Sequence, residues 1–302
     1  MATALSLIAL VRILHAQEDG MAQIPTEVVA HIDWQGYALA GVSPGPRDTL
    51  CVLLRAKQKS PNWRVLVFSA EEQHEYGIHA DYDSFGIAQP LPEGFLLADP
   101  YPRDSEDNVY IFDHSGRQLR SFYTGDGIYA LQTTEAGDIW AACGYHSHDD
   151  YGMILGADDL VQLSAQGVVQ HQVPLEQYAS DRSGPFALNV ESDEFVWWYS
   201  GEPCPLVRMR RGVPDTQWDI DFPAGTVFAV WANTVLLDYA QDASSWMHME
   251  LDADGQVRRV QSVEFTDEDG DALPSRCATA RGRLIWFSQN SKIYRADISR
   301  LL

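Results

Sequence analysis

The sequence is poor in cysteine, in positive charge and in long hydrophobic runs, and each shortage argues against a class of protein. Its four cysteines, at positions 51, 143, 204 and 277, lie far apart and form no CxxC pair or other metal-binding spacing. A secreted scaffold held by disulfides would carry more and closer cysteines, so we expect reduced thiols in the core of a cytoplasmic protein, with a structural disulfide as the alternative. One apolar run, Ala4–Ala16, is interrupted by Arg12 and is too short to span a membrane. We interpret it as a strand or short helix of the fold, with an export signal as the alternative.

Positive charge is half as frequent as negative charge. The chain has 21 Lys and Arg residues against 43 Asp and Glu residues, which gives a formal net charge of −22 at pH 7. Such a surface repels phosphate backbones and anionic headgroups, so we expect neither nucleic acid nor a membrane as a partner. It attracts basic proteins and speeds their association, although an acidic surface without a special partner explains the composition equally well.

An internal repeat organises the chain. Each unit has a strand, a tight turn, a very apolar second strand, a variable loop and a final hairpin, and a new unit begins every ~40–60 residues. The second strands open at a polar or glycine turn and continue through bulky β-forming residues: Asp48–Ala56, Gly94–Tyr101, Gly137–Tyr145, Asp193–Gly201, Asn233–Gln241 and Gly282–Gln289. Short hairpins with glycine at the turn are predicted at Val109–Phe122, Leu160–Val173 and Met247–Val260.

Six such units fit the chain, and the last ends after its third strand, Ser291–Ile298. We expect Thr26–Trp34 to supply the missing fourth strand from the other terminus, because closure removes exposed sheet edges. A seventh, irregular blade that uses Ala4–Ala16 is the alternative. The pattern resembles the β-propeller superfamily over nearly the whole chain, without the marks of WD or kelch repeats.

The resemblance implies an all-β fold, a β-propeller of six four-stranded blades that an N-terminal strand closes into a ring. We expect one domain over residues 1–302, with residues 1–24 as an N-terminal strand or extension and residues 25–302 as the blades. A propeller implies an architecture and no particular activity. Its usual binding face collects the loops that follow the second strands and those between blades.

Those loops are rich in aromatic residues and carboxylates, which suit a partner with exposed Arg and Lys side chains. We therefore predict a partner-binding face with the following members: Asp99, Tyr101, Tyr145, His146, His148, Asp149, Asp150, Tyr151, Tyr199, Glu202, Tyr239 and Asp242. The same chemistry recurs in four units, although polar residues that merely cap strands are the alternative.

The longest of these loops, Gly144–Asp159, contains four residues that could ligate a metal: His146, His148, Asp149 and Asp150. Its run HSHDDY is superficially similar to the HxHxDH zinc motif of the metallo-β-lactamases, but Tyr151 stands where the last histidine should be. We predict an acidic recognition loop without metal. The stretch Thr266–Leu273 lacks the ligand spacing of a calcium loop, and we interpret it as a connection.

No catalytic motif is present, since the sequence has no GxSxG, no P-loop and no GxGxxG after a strand. We therefore predict a non-enzymatic protein, monomeric apart from its partner, that binds a basic protein through the acidic and aromatic face and needs no cofactor. One version is an immunity protein that inhibits a cognate toxin, because toxins that attack nucleic acids need basic surfaces. The first alternative is a metal-dependent propeller hydrolase, lactonase or lyase, with ligands such as Asn189 around the central channel. The second is a small-molecule or glycan sensor.

Overall fold

Strands and short turns make up nearly all of the chain that the computed structural model describes. The described residues are 21–33, 36–57, 62–69, 72–80, 82, 84–102, 107–125, 127–143, 159–174, 187–199, 205–221, 224–239, 242 and 244–301. The first two strands, β1 (Met21–Pro25) and β2 (Glu27–His31), join sheets that are formed by the end of the chain. The strands form six sheets, and the chain is a six-bladed β-propeller, as predicted. The apolar run Ala4–Ala16 lies outside the described residues.

The larger of two compact units, Trp34–Gln217, carries blades one to four, each a sheet of four strands that pair in chain order. Blade one has β3 (Tyr37–Pro44), β4 (Leu50–Ala56), β5 (Asn62–Phe68) and β6 (Gln73–His79). Blade two has β7 (Ile87–Leu91), β8 (Gly94–Ala98), β9 (Val109–Asp113) and β10 (Gln118–Phe122). Blade three has β11 (Ile128–Thr133), β12 (Ile139–Cys143), β13 (Asp159–Leu163) and β14 (Val169–Pro174). Blade four has β15 (Ala187–Val190), β16 (Phe195–Tyr199), β17 (Leu206–Arg210) and β18 (Val213–Trp218).

The smaller unit, Met1–Asp33 with Trp218–Leu302, carries blades five and six. Blade five has β19 (Ala224–Trp231), β20 (Thr234–Tyr239), β21 (Ser245–Leu251) and β22 (Val257–Thr266), and β1 adds a fifth strand parallel to β22. Blade six has β23 (Ala278–Arg281), β24 (Leu284–Gln289) and β25 (Lys292–Asp297). Its fourth strand is β2, which pairs antiparallel with β25 and confirms the strand expected from Thr26–Trp34.

One five-residue pattern closes turns in both units. An Asp, Ser or Thr accepts the backbone N–H of the residue four positions later on its side chain, and the intervening glycine donates its N–H to the carbonyl of that first residue. The glycine takes a positive φ, which other residues adopt only at a cost. The turns are Asp113–Arg117, Thr134–Asp138, Ser164–Val168, Asp252–Gln256 and Asp267–Asp271. They explain the three predicted hairpins, and they make the acidic stretch Thr266–Leu273 a connection, as expected.

The second strands form the core of the blades. All five residues of β8 and of β12 are buried, and Trp140 and Trp198 pack in one cluster between blades three and four. Cys51 and Cys143 lie in this core as free thiols, as predicted for these two positions. Burial raises the pKa of Cys51 to about 12, so its thiol stays protonated at neutral pH.

Buried amide side chains join neighbouring blades of the larger unit. Gln89 of β7 donates from Nε2 to the carbonyl oxygen of Pro44 in blade one at 3.0 Å. Its Oε1 accepts the backbone N–H of Thr133 in blade three at 3.1 Å. Gln132 of β11 makes a similar pair of bonds to the backbone of β15, at 3.1 and 2.8 Å. The two side chains therefore tie the first strands of four successive blades together.

A buried histidine is a feature of the smaller unit. His248 of β21 is 3% exposed, and neither ring nitrogen has a hydrogen-bond partner among the described residues. In the sheet it pairs with Leu236 of β20 and Gln261 of β22, and Glu250 and Arg258 are the charged groups that act on it. Burial is the largest cause of a pKa below the usual 6.5 for His248, and Arg258 adds to the shift while Glu250 opposes it. His248 is therefore neutral at pH 7.

Acidification is expected to lower the stability of the fold through His248. The unfolded chain takes up a proton on this residue near pH 6.5, whereas the folded chain resists protonation until a lower pH. Between those two pKa values the free energy of unfolding should fall with decreasing pH, by at most about 1.4 kcal/mol for each unit of pH. Urea unfolding at several pH values should show a flatter profile for His248→Leu. The exposed-site variant His79→Leu is the control, and parallel profiles for His248→Leu and wild type would contradict this account.

Candidate protein-binding edge

The predicted binding face draws on the loops that follow the second strands. The structure describes Asp99, Tyr101 and Tyr199 in the larger unit, and Tyr239 and Asp242 in the smaller one. The remaining predicted members lie outside the described residues: Tyr145, His146, His148, Asp149, Asp150, Tyr151 and Glu202.

Asp99, which follows β8 directly, is an internal support. It is 4% exposed, its Oδ2 accepts a short hydrogen bond from the Tyr82 hydroxyl, and its Oδ1 accepts the backbone N–H of Tyr101 at 2.8 Å. Asn108, which is fully buried, donates from Nδ2 to the Asp99 carbonyl and accepts the N–H of Thr124. The Asp99 carboxylate therefore fixes the backbone at the end of β8 and is not itself a contact surface.

Tyr101, whose backbone N–H binds Asp99, is exposed to solvent. It is 59% exposed, the highest value among the exposed aromatic residues that the structure describes. The carbonyl oxygen of Pro100 accepts the backbone N–H of Ile128 from blade three at 3.0 Å, so the segment that carries Tyr101 is held from both sides. A large, amphipathic side chain on a fixed backbone is the kind of group that anchors protein interfaces.

Tyr129 is a second exposed tyrosine at the same edge, and it is not among the residues predicted from the sequence. The register of β11 against β12 shifts between Ile128 and Ala130, so Tyr129 is the extra residue of a β-bulge and is 39% exposed. Tyr101 and Tyr129 each follow one of the two residues joined by the Pro100–Ile128 hydrogen bond. We call Tyr101 and Tyr129 the tyrosine pair. No glycine or other turn-forming residue lies at this bulge, so the sequence contains no clear signal for it.

Tyr199, unlike Tyr101 and Tyr129, is not exposed to solvent. It ends β16 and is fully buried, so the structure places it in the core of blade four and not on a surface. Alternation along the strand FVWWY does not separate inward from outward residues, because all of its last four residues are buried.

The two predicted members in the smaller unit differ from each other. Tyr239 ends β20 and is half-buried. Asp242 is exposed, and its carboxylate accepts bonds from the backbone and hydroxyl of Ser244 and from the hydroxyl of Ser245. The Ser245 hydroxyl is the largest cause that lowers the pKa of Asp242, so this carboxylate stays charged at neutral pH.

A buried carboxylate of this unit was not predicted. Asp238 of β20 is 6% exposed, and its Oδ1 accepts the backbone N–H of Val227 at 3.0 Å. Burial raises its pKa, while bonds from the backbone of Val227, Thr226 and Gly225 and from the Ser275 hydroxyl oppose the rise. Like Asp99, it supports a strand end from inside.

Positive charge on the described residues is largely paired with carboxylates. Among the described residues of the larger unit, the arginine pairs within 4.0 Å are Arg47–Glu135, Arg64–Glu75, Arg117–Asp113, Arg120–Glu93, Arg208–Asp215, Arg210–Glu194 and Arg211–Glu194. These arginines are neutralised by neighbouring carboxylates, so the net charge of −22 comes from the other carboxylates of the chain. Because these arginines are neutralised by carboxylates, they repel the basic side chains of a partner only weakly.

The described residues contain no cluster of three or more His, Cys, Asp or Glu side chains that could hold a metal ion. Within the same residues, no helix is long and apolar enough to cross a membrane. The candidate metal ligands of the Gly144–Asp159 loop, His146, His148, Asp149 and Asp150, lie outside the described residues.

Neither a protein-family model nor a curated protein sequence matches the chain. A chain from the crystal structure of the mitotic checkpoint complex matches with a TM-score of 0.50 at 7% identity, over 89% of this chain and 93% of that chain. A protein from Bacteroides uniformis described as a "putative 6-phosphogluconolactonase" has a TM-score of 0.50 at 10% identity. The match covers 93% of this chain and 88% of that chain. The fold is that of a β-propeller. The WD40 domain of Neurospora crassa Pan2 has a TM-score of 0.41 at 11% identity, with 91% and 94% covered. At such identities, similarity extends to fold and no further.

Proposed function

We propose that this chain is a non-catalytic binding protein that uses the edge carrying the tyrosine pair to grip a basic protein partner. The propeller fold is consistent with protein binding. The observation that carries the proposal is Tyr101, which is 59% exposed although its backbone is fixed by the buried Asp99 carboxylate. A rigid aromatic side chain loses little conformational entropy when a partner covers it.

Charge supplies the second part of the proposal. A net charge of −22 attracts a basic partner from a distance and speeds its association, while the tyrosines provide short-range contact. The specific version that we favour is an immunity protein, a cytoplasmic monomer that covers the basic active surface of a cognate toxin. A toxin that attacks nucleic acid must present such a surface, because its substrate is a polyanion.

The tyrosine pair is expected to be required for capture of the partner. Purified chain serves as bait in a native cytoplasmic extract, in wild-type form and as Tyr101→Ala/Tyr129→Ala. Loss of two interface contacts of at least about 1 kcal/mol each should weaken binding by at least ~30-fold. The matched control is Leu119→Ala/Val213→Ala, which removes two exposed apolar side chains from the outer strands β10 and β18.

The capture experiment distinguishes a protein-binding function from a metal-dependent enzyme. A basic protein retained by wild type and control, and lost by the tyrosine variant, supports the proposal. Equal retention by all three baits contradicts the tyrosine pair as the site. If no partner is retained and the purified chain carries stoichiometric metal, the metal-dependent enzyme replaces the proposal. For the immunity version, the captured protein must also lose its toxicity when wild type is present.

A further inference from the structure

A groove of about 580 Å³ lies at the other edge of the larger unit, where the first strand of each blade turns into the second. Turn length explains it. Blades one and three connect these strands through residues 45–49 and 134–138, whereas blade two uses only residues 92–93 between Leu91 and Gly94. The short turn of blade two therefore forms a floor, and the longer turns on each side form walls.

The floor of the groove is apolar. Pro90 and Pro92 of blade two form its exposed surface, and Leu91 between them is 6% exposed and packs in the core. The hydroxyl groups on the walls are engaged within their own turns, since Thr49 Oγ1 donates to the Pro46 carbonyl and Thr134 Oγ1 accepts the N–H of Asp138. The floor therefore offers contact area for an apolar group, and its size lies in the range of small-molecule sites.

Two opposite charges meet across this floor. Arg47 Nε lies 2.8 Å from Glu135 Oε1, and the two side chains are 69% and 56% exposed. Both are mounted on fixed turns. The Glu135 amide donates to Asp193 at 2.7 Å, and Arg47 takes a φ of 55° in a turn closed by the Gly45–Thr49 hydrogen bond. A non-glycine residue in this left-handed conformation is unfavourable by itself and often marks a functional position.

We propose that this groove binds a small zwitterion, an α-amino acid with an apolar side chain. The Arg47 guanidinium takes the carboxylate, the Glu135 carboxylate takes the ammonium group, and the side chain covers Pro90 and Pro92. An exposed ion pair contributes little stability, so a ligand that restores both ionic contacts separates the pair at little cost.

The charge pattern selects a zwitterion over singly charged ligands. An anion would leave Glu135 without a partner in a chain whose net charge is −22, and a cation would leave Arg47 without one. This site lies at the opposite ends of the strands from the tyrosine pair, and it does not depend on the proposed function.

Isothermal titration of the full chain with four probes tests the site directly. L-leucine should bind, whereas 4-methylpentanoate, isoamylamine and glycine, which lack the ammonium, the carboxylate and the side chain respectively, should each bind at least tenfold more weakly. Arg47→Gln and Glu135→Gln should each weaken leucine binding at least tenfold. The control Glu75→Gln breaks another exposed ion pair, Arg64–Glu75, and should leave it unchanged.

The probe series on wild type decides the question even where a variant fails to fold. No binding of leucine to wild type overturns the proposal, and so does equal binding of any of the three analogues. Equal leucine affinity for folded Arg47→Gln or Glu135→Gln and wild type also overturns it. Capture of a basic protein at the tyrosine pair is unaffected by any of these results.

Discussion

Gly41→Ala is expected to cost the larger unit about 3 kcal/mol of unfolding free energy, because no space exists for a methyl group at this position. A Cβ atom on Gly41 of β3 would lie far inside van der Waals contact with the carbonyl oxygen of Gly86 in blade two. The obstacle is backbone and not the end of a flexible side chain, so relief requires the two blades to move apart. Blades one and two pack at this point through β3 and β7.

The matched control is Gly77→Ala. Gly77 also lies in a strand of blade one, in β6, but a Cβ atom there would meet nothing within 4 Å. Alanine in place of glycine inside a strand should be neutral or stabilising by up to about 1 kcal/mol. Urea unfolding measures both variants. If Gly41→Ala and Gly77→Ala have the same stability, then blades one and two do not approach each other as described.

Gln89→Leu is the second substitution with a large expected effect, a loss of about 2–4 kcal/mol. The leucine matches the glutamine roughly in size but leaves the Pro44 carbonyl and the Thr133 N–H without the amide that joins them. Buried polar backbone groups that lose their partners carry the full cost of desolvation. We expect the loss to appear in the unfolding free energy, since Gln89 is fully buried.

The matched control is Gln118→Leu, which makes the same substitution at an exposed position without inter-blade hydrogen bonds among the described residues. Gln118 begins β10 and is exposed, so the same change there should alter stability by less than about 0.5 kcal/mol. A Gln89→Leu variant as stable as Gln118→Leu would show that the inter-blade bonds contribute nothing net.

The fold was predictable where the signal is local. The apolar second strands follow the run of β-forming residues, and the turn at Asp252–Gln256 follows from its side-chain acceptor and its glycine. The strand that completes blade six was also predictable, because the repeat leaves the last unit one strand short.

The candidate site was less predictable, because its features depend on strands that are distant in sequence. Asp99 was expected at the surface, but whether a carboxylate faces Tyr82 or solvent depends on the packing of a neighbouring loop. The exposure of Tyr129 depends on one extra residue in β11, which shifts the register without changing composition. The contact between Arg47 and Glu135 spans two blades, and nothing near either residue in the sequence points to the other.

Whether this edge binds a basic protein is tested by the affinity of the purified partner for wild type and for Tyr101→Ala/Tyr129→Ala. Each affinity is measured by titration at two salt concentrations, about 50 and 300 mM. We expect the double variant to bind at least ~30-fold more weakly at either salt concentration, because the tyrosines act at contact distance. We also expect wild-type affinity to fall as salt rises, because a basic partner is attracted by the acidic surface. Equal affinity of the two proteins for the partner, or an affinity that salt does not change, would contradict the proposal that this edge binds a basic protein.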